Sequence, residues 1–279
     1  MITIQHHDSQ QAPSDLALGT TQLIYADPPF NLGVDYGQYD DRLKSHEYRR
    51  FAGSWVHAMA RLLRPCGWFV ICTPSEWQFE YESLLRAEDL QFHQHVIWHR
   101  TFGAQSQSGG SLSKAHTTLL VYGRPLRDER LSKPHWDRVR VASARQTTYA
   151  DKRACPDGKI PGTVWQLPDD PGSTVWTVSM VCGTYKERVG WCPCQQPLRL
   201  VTRVVAALSD EQDLVVDPFS GAATTAVACR ILGRKCISYD IDPKYVEHGR
   251  QRVAGIHDEL AVELRDGLVP RQVTMPAGL

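Results

Sequence analysis

Leu23-Ile24-Tyr25-Ala26-Asp27-Pro28-Pro29-Phe30 is a short apolar run that ends in a stiff, acid-led turn. The first four residues read as a buried strand, and the two prolines fix φ and remove two N–H donors directly after it. Working outward, apolar runs alternate with helical patterns. From Glu47 to Leu63, bulky residues recur at Tyr48, Phe51, Trp55, Met59, Leu62 and Leu63, in the steps of three and four that make one helix face. Pro65 and Gly67 end that helix, and Trp68-Phe69-Val70-Ile71-Cys72 reads as the next strand. A second helix is expected from Trp77 to about Leu90. Strands then follow at Val96-Ile97-Trp98 and Thr118-Leu119-Leu120-Val121-Tyr122, around a Gly/Ser-rich loop from Gly103 to Ser113. After an irregular stretch the pattern resumes with a helix Pro197–Ser209, a strand Leu214–Val216, a helix Thr224–Leu232, a strand Cys236–Tyr239 and a helix Lys244–Ile256. Such alternation predicts an α/β fold.

The irregular stretch differs in charge as well as in pattern. The 279-residue chain balances 31 basic against 31 acidic residues, so a phosphate-binding face has to be a local patch. Residues 124–159 hold ten Lys/Arg and five Asp/Glu, and they lie inside a Pro-, Gly- and Asp-rich segment without helical period. One α/β domain, residues 1–123 and 191–279, interrupted by an irregular basic module, residues 124–190, is the organisation this implies. With 42% hydrophobic and 22% charged residues, the composition excludes a disordered tail or a polybasic coat protein. No apolar run approaches the roughly 18 residues a membrane helix needs. The amino-terminal MITIQHHDSQQAP lacks a basic flank and apolar stretch, and eight cysteines are too sparse for a disulfide framework. A reduced, cytoplasmic setting is expected.

Two motifs carry chemistry. Ligands of open α/β sheets bind outside the carboxyl ends of the strands, where Asp27-Pro28-Pro29-Phe30 falls. Asp27 and the carbonyl oxygens of the turn can accept hydrogen bonds, and Phe30 adds an aromatic face. That combination suits a flat ring bearing an exocyclic amine; the alternative is a simple strand-ending turn capped by Asp27. The second motif, Asp217-Pro218-Phe219-Ser220-Gly221-Ala222-Ala223-Thr224-Thr225, joins a strand to a helix. Its glycine turn lets backbone N–H groups approach a ligand. Asp240, 23 residues after Asp217, stands where an acidic residue holds a ribose diol in nucleotide-type folds. Gly221 is the motif's sole glycine, so the pyrophosphate fingerprint is incomplete. A tight turn with an ordinary capping Asp is the alternative here.

Together these motifs resemble the DNA amino-methyltransferases, in the permuted group whose Asp-Pro-Pro-Phe/Tyr motif precedes the cofactor motif. Residues Ile24 to Asn31 match the catalytic motif, Val215 to Gly221 the S-adenosylmethionine loop, and Ile237 to Tyr245 the ribose-binding strand. Gln195 to Leu200 looks like the helix that packs on the cofactor's methionine end, and His7-Asp8-Ser9 sits where an acidic residue reaches adenine. The resemblance implies a Rossmann-like seven-stranded methyltransferase sheet with residues 124–190 as the target-recognition region. It implies S-adenosylmethionine held by Asp8, Asp217, Phe219, Gly221, Thr224 and Asp240, with Asp27, Pro28, Pro29 and Phe30 at the transfer. The substrate would be double-stranded DNA with its target base flipped out, and a cognate restriction endonuclease is a possible partner. Within the family an Asp at the first motif position favours adenine N6, whereas Ser is commoner for cytosine N4.

The sequence also departs from the family. Ala223 stands where the family usually has a second glycine, and its methyl could crowd the cofactor. Cys192-Pro193-Cys194-Gln195-Gln196-Pro197 replaces a His-Pro-Thr-Gln-Lys-Pro run, losing a histidine and a lysine. Arg138, Arg140, Arg145, Lys152 and Arg153 are phosphate candidates in the basic module, each with a solvated surface role as the alternative. Cys182, Cys192 and Cys194, with Cys155 or a nearby His, could form a structural zinc site, although no Cys-x2-Cys pair is present. Cytosine N4, an RNA or protein amine, or a DNA-binding protein that has lost turnover remain the alternative functions.

Overall fold

Side chains alternate across β2 (Thr21–Ala26): Leu23 and Tyr25 enter one apolar layer, Ile24 and Ala26 the other. In β3 (Leu63–Thr73), Trp68, Val70 and Cys72 join the first layer, and Phe69 and Ile71 the second. Strands buried on both faces read as continuous apolar runs, and helices cover each side. In this computed structural model, residues 1–104, 114–126, 130–141, 151–165, 181, 187–258 and 261 are described. The other strands are β1 (Ile2–His6), β4 (Gln91–Ala104), β5 (Lys114–Gly123), β6 (Val164–Trp165), β7 (Leu214–Asp217) and β8 (Lys235–Asp240). Helices α1 (Ser45–Ala60) and α2 (Gln78–Ala87) pack on the second layer. Helices α3 (Leu198–Leu208), α4 (Thr224–Leu232) and α5 (Pro243–Ala254) pack on the first.

The sheet order is β1-β8-β7-β2-β3-β5-β4-β6. Within it β5 runs antiparallel to both of its neighbours, and the remaining pairs are parallel. Among the described residues, seven strands of four to fourteen residues make the seven-stranded sheet that the resemblance implied, here mixed, and the two-residue β6 is added at its edge beside Ile97 and Trp98. From β2 the chain moves to β3 on one side, whereas β7 leads to β8 on the other. The carboxyl ends of β2 and β7 therefore flank a switch point, the place where such sheets bind ligands.

The structure adds to the sequence reading at three places. Ile2–His6 forms an edge strand parallel to β8, with His6 opposite Asp240; a strand of only two apolar residues is specified by that distant partner. β3 begins at Leu63 and passes Pro65 by a register irregularity in its pairing with β2, with Cys66 at φ 64°. β4 runs through Gly103 to Ala104, so the expected loop starts later; residues 105–113 lie outside the described part. Within 124–190, Val139 is fully buried and Leu131, Trp136 and Val141 pack on the first apolar layer. No helix among the described residues is long and apolar enough to cross a membrane.

Candidate active site

Four adjacent parallel strands, β1, β8, β7 and β2, bring a row of carboxylates to one edge of the sheet. Asp240 and Asp217 end β8 and β7, Asp27 follows β2 directly, and Asp8 lies two residues beyond β1. All four line one cavity of about 440 Å³. Pro28, Pro29, Phe30, Phe219, Gly221 and Thr224 line it too, so the ten residues singled out in the sequence share a single site.

At one end, the carboxylates organise backbone turns. Asp217 Oδ1 accepts from the Phe219 N–H at 2.9 Å. Asp240 accepts from Gly221 at 2.8 Å and from Asp242 at 2.9 Å, one N–H on each oxygen. Each carboxylate oxygen still has a lone-pair site, the capacity a diol would need. Ser9 donates to the Pro218 carbonyl and the His7 N–H to the Asp240 carbonyl at 3.0 Å, which draws the Asp8 loop beside the Gly221 turn. Asp8 itself accepts from the Gln10 N–H at 3.0 Å. Gly221 has φ 46°, and a Cβ there would meet the Cys192 sulfur at 3.6 Å.

Ala223 lies behind the cavity wall. Ala223 is fully buried at the start of α4 and absent from the cavity lining. Its methyl faces Gly249 of α5, where an added Cβ would come within 3.1 Å of it. Its φ of 61° is a left-handed conformation that costs an L-residue about 1–2 kcal/mol. The Ala223 methyl is thus part of the packing of α4 on α5.

At the other end, the turn after Asp27 is held from outside. Tyr48 donates its hydroxyl to the Pro29 carbonyl at 2.6 Å, and the Trp77 indole donates to the Phe30 carbonyl at 3.0 Å. Neither bond uses the Pro28 carbonyl. Asn31 follows at φ 58°, a conformation asparagine tolerates. Buried Asp41 then accepts from the N–H groups of Asn31 (2.7 Å), Leu32 (2.9 Å) and Val34 (3.0 Å), while the Asn31 side chain both donates to and accepts from the Leu43 backbone. The motif is thus a rigid platform. Sequence reading had assigned Tyr48 to a helix face and had not singled out Asp41 or the indole of Trp77. A buried Tyr or Trp needs a partner for its polar end, and that need was the available signal.

Enclosing carboxylates in a row disfavours their charge. Burial pushes Asp240 up to about 6, against the N–H bonds from Asp242 and Gly221. Burial likewise raises Asp217 to about 7, against Thr225 and the Phe219 N–H. Asp27 rises furthest, to about 8, through burial and then the Asp217 charge, against Cys72, Gln196 and Arg100. A cation entering this edge of the sheet would relieve all three.

Among the described residues, the basic candidates differ in how far they are engaged within the protein. Arg138 donates to the Ala206 and Ser209 carbonyls at the end of α3, at 3.3 and 2.9 Å, and pairs with Asp210 at 2.6 Å. That is a helix-end clamp, and its guanidinium is engaged within the protein. Arg140 donates to the Gly158 carbonyl at 2.8 Å, and Arg153 pairs with Asp151 at 3.0 Å. Lys152 is exposed, and Arg145 lies outside the described residues. Of the thiols weighed for zinc, Cys192 and Cys194 line the cavity, Cys155 sits 3.6 Å from Arg140, and Cys182 lies outside the described residues. Among the described residues no three His, Cys, Asp or Glu side chains gather as a metal site.

Known proteins are similar to this chain along most of its length. The N6/N4 DNA methylase family model matches residues 21–251. The type II methyltransferase M.HpaI of Haemophilus parainfluenzae is 29% identical over 244 residues, 87% of this chain and 71% of that protein. Among solved structures, the cytosine-N4-specific PvuII DNA methyltransferase superposes with a TM-score of 0.63 at 17% identity, covering 93% of this chain and 92% of that one. M1.HpyAVI in complex with S-adenosylmethionine superposes with a TM-score of 0.57 at 17% identity, covering 91% and 99%.

Proposed function

Since this chain belongs to the N6/N4 DNA methylase family, we propose that it transfers a methyl group from S-adenosylmethionine to the N6 amine of adenine in double-stranded DNA. One observation carries the reading. Asp27, on its braced turn, opens into the same cavity as the Asp240–Gly221 cradle, so an amine and a methyl donor can meet there.

The cradle fits the donor. Asp240 can accept from ribose hydroxyls, Asp8 can accept from the adenine end, and the acidic row favours a cation; Asp217, Phe219, Gly221 and Thr224 complete the enclosure. When bound, S-adenosylmethionine supplies a methyl group on a cationic sulfur. The protein's task is then to prepare the amine. Adenine N6 shares its lone pair with the ring and is a poor nucleophile. Asp27 and the Pro28 carbonyl each accept one N–H, which draws the nitrogen toward tetrahedral geometry and stabilises the positive charge that develops on it. Phe30 stacks on the ring and fixes its plane. A base inside a duplex cannot reach this depth, so it is flipped out at a cost of a few kcal/mol.

Asp at position 27, where cytosine enzymes of the family more commonly have Ser, favours adenine. Residues 124–190 are the proposed target-recognition region, with a cognate restriction endonuclease as the partner that a type II methyltransferase relative suggests, acting in the cytoplasm. The test is to incubate the protein with S-adenosylmethionine and unmethylated DNA, hydrolyse the DNA and identify modified nucleosides by mass spectrometry. N6-methyldeoxyadenosine is the expected product. N4-methyldeoxycytidine would overturn the adenine reading, and absence of either would overturn turnover.

A further inference from the structure

Two adjacent glutamines precede α3, and the fold treats them differently. Gln195 is satisfied within the protein: Oε1 accepts from the Val189 N–H at 3.0 Å, and Nε2 donates to the Glu187 carbonyl at 2.8 Å. Gln196 is 7% exposed and lines the cavity. Its Oε1 accepts from the Tyr25 hydroxyl at 2.6 Å, and Thr224 reaches its backbone carbonyl at 3.4 Å. Its Nε2 is buried and makes no well-formed hydrogen bond among the described residues. A buried donor without an acceptor is costly, so its persistence needs a reason.

The reason lies beside it. The Gln196 amide stands near enough to Asp27 and Cys72 to pull the proton affinity of both downward. Tyr25 is fully buried on β2, two residues before Asp27, and its hydroxyl fixes the amide oxygen by donating to it. Turning the amide over would set Oε1 against Asp27. We propose that Gln196 is a positioning residue for Asp27: with a target amine in the cavity, its NH2 group holds one carboxylate oxygen and leaves the other to accept the amine N–H. This rests on Asp27 being the acceptor of that amine.

The test compares Gln196→Leu, Gln196→Lys and Tyr25→Phe. Single-turnover methyl transfer to unmethylated DNA is followed over roughly pH 6 to 9, and S-adenosylmethionine affinity is measured on the same proteins. Among the described residues, the titratable and charged groups facing Asp27 are Asp217 from β7, Cys72 from β3, Arg100 from β4, Tyr25 from β2, Tyr81 from α2, and Tyr36, Cys192 and Cys194 from loops. Loss of an N–H donor disfavours the ionised carboxylate, so the acid limb of the rate profile moves to higher pH. Gln196→Leu should shift it by about half to one pH unit, equivalent to one neutral hydrogen bond. It should slow transfer about tenfold, with cofactor affinity held within about twofold. Gln196→Lys, which restores an N–H donor, should recover the rate. Tyr25→Phe frees the amide to turn and should shift the limb the same way by less; it stands as the test if Gln196→Leu does not fold.

An unmoved limb and wild-type rate in Gln196→Leu, or a Gln196→Lys protein equally slow, would overturn the positioning role. So would a loss of cofactor affinity large enough to account for the whole loss of rate. Asp27→Asn in the same assay separates the two ideas. If it transfers at the wild-type rate, the role of Asp27 has failed; if it is slow while Gln196→Leu is not, only the role of Gln196 has.

Discussion

Acid is the perturbation that Asp27 answers to most directly. Buried beside Asp217, its carboxyl group is pushed up to about 8, so the ligand-free protein holds it mainly protonated at neutral pH. A protonated acid can still accept an N–H, but it cannot balance the charge that grows on the amine nitrogen. Because kcat/KM for S-adenosylmethionine reports groups in the enzyme before the donor binds, it should rise about tenfold per pH unit up to about 8 and then level. At about pH 6 it should lie roughly 100-fold below the plateau. Asp27→Asn keeps an acceptor oxygen but cannot ionise, so its plateau should fall about 10²-fold, the scale of one positioned polar group. Its profile should also lack the limb, and the two curves should converge near the acid end. Initial rates with labelled methyl donor at constant ionic strength measure both profiles. A wild-type profile that is flat through this range refutes the reasoning. An Asn variant that keeps the limb does so too, since another group such as Asp217 would then be titrating.

The same shifts bear on stability. Carboxyl groups whose pKa is raised by folding stabilise the protein fully below about 4, their unfolded value. That contribution is lost as pH rises through the folded values of about 6, 7 and 8 for Asp240, Asp217 and Asp27. Thermal melting of the ligand-free protein should therefore fall across that window, and S-adenosylmethionine should restore it; a melting temperature that rises there contradicts the burial argument. Asp240→Ala should weaken S-adenosylmethionine binding by about 1.5–3 kcal/mol, the range for bonds to a charged group. Calorimetry measures this, with melting as a control, because the variant also strands the Gly221 and Asp242 N–H groups. Phe30→Ala should lose about 1–3 kcal/mol of base stacking in DNA affinity or transfer, and Phe30→Tyr or Phe30→Trp should recover part of it. Lys152→Glu should lower the salt slope of DNA binding by about one. Arg138→Ala should leave that slope alone and lower the melting temperature, because its guanidinium closes the end of α3.

The motif Asp27–Phe30 was legible in the sequence because its chemistry is local: an acid, two rigid prolines and an aromatic ring directly after an apolar run. The Asp217 and Asp240 turns were legible for the same reason. β1 was not, since Ile2–His6 is a strand only through its pairing with residues more than two hundred positions away. Arg138 was read by its charge, whereas its role is set by the end of a helix that the chain reaches about seventy residues later. Tyr48 was read as part of an apolar helix face and Trp77 as the start of a helix, and the polar ends that brace the motif became visible only once both were seen against Pro29 and Phe30. Gln196 looked like the loss of a lysine. In the fold it is a buried donor on the wall of the cavity that Asp27 also lines.

The central claim is that one cavity binds the methyl donor and presents the amine through Asp27. Measuring S-adenosylmethionine affinity and DNA methyl transfer on one preparation of Asp27→Ala tests it most directly. The account predicts affinity within about threefold of wild type and transfer slower by at least about 10²-fold. A folded Asp27→Ala protein that methylates DNA at near the wild-type rate would contradict it.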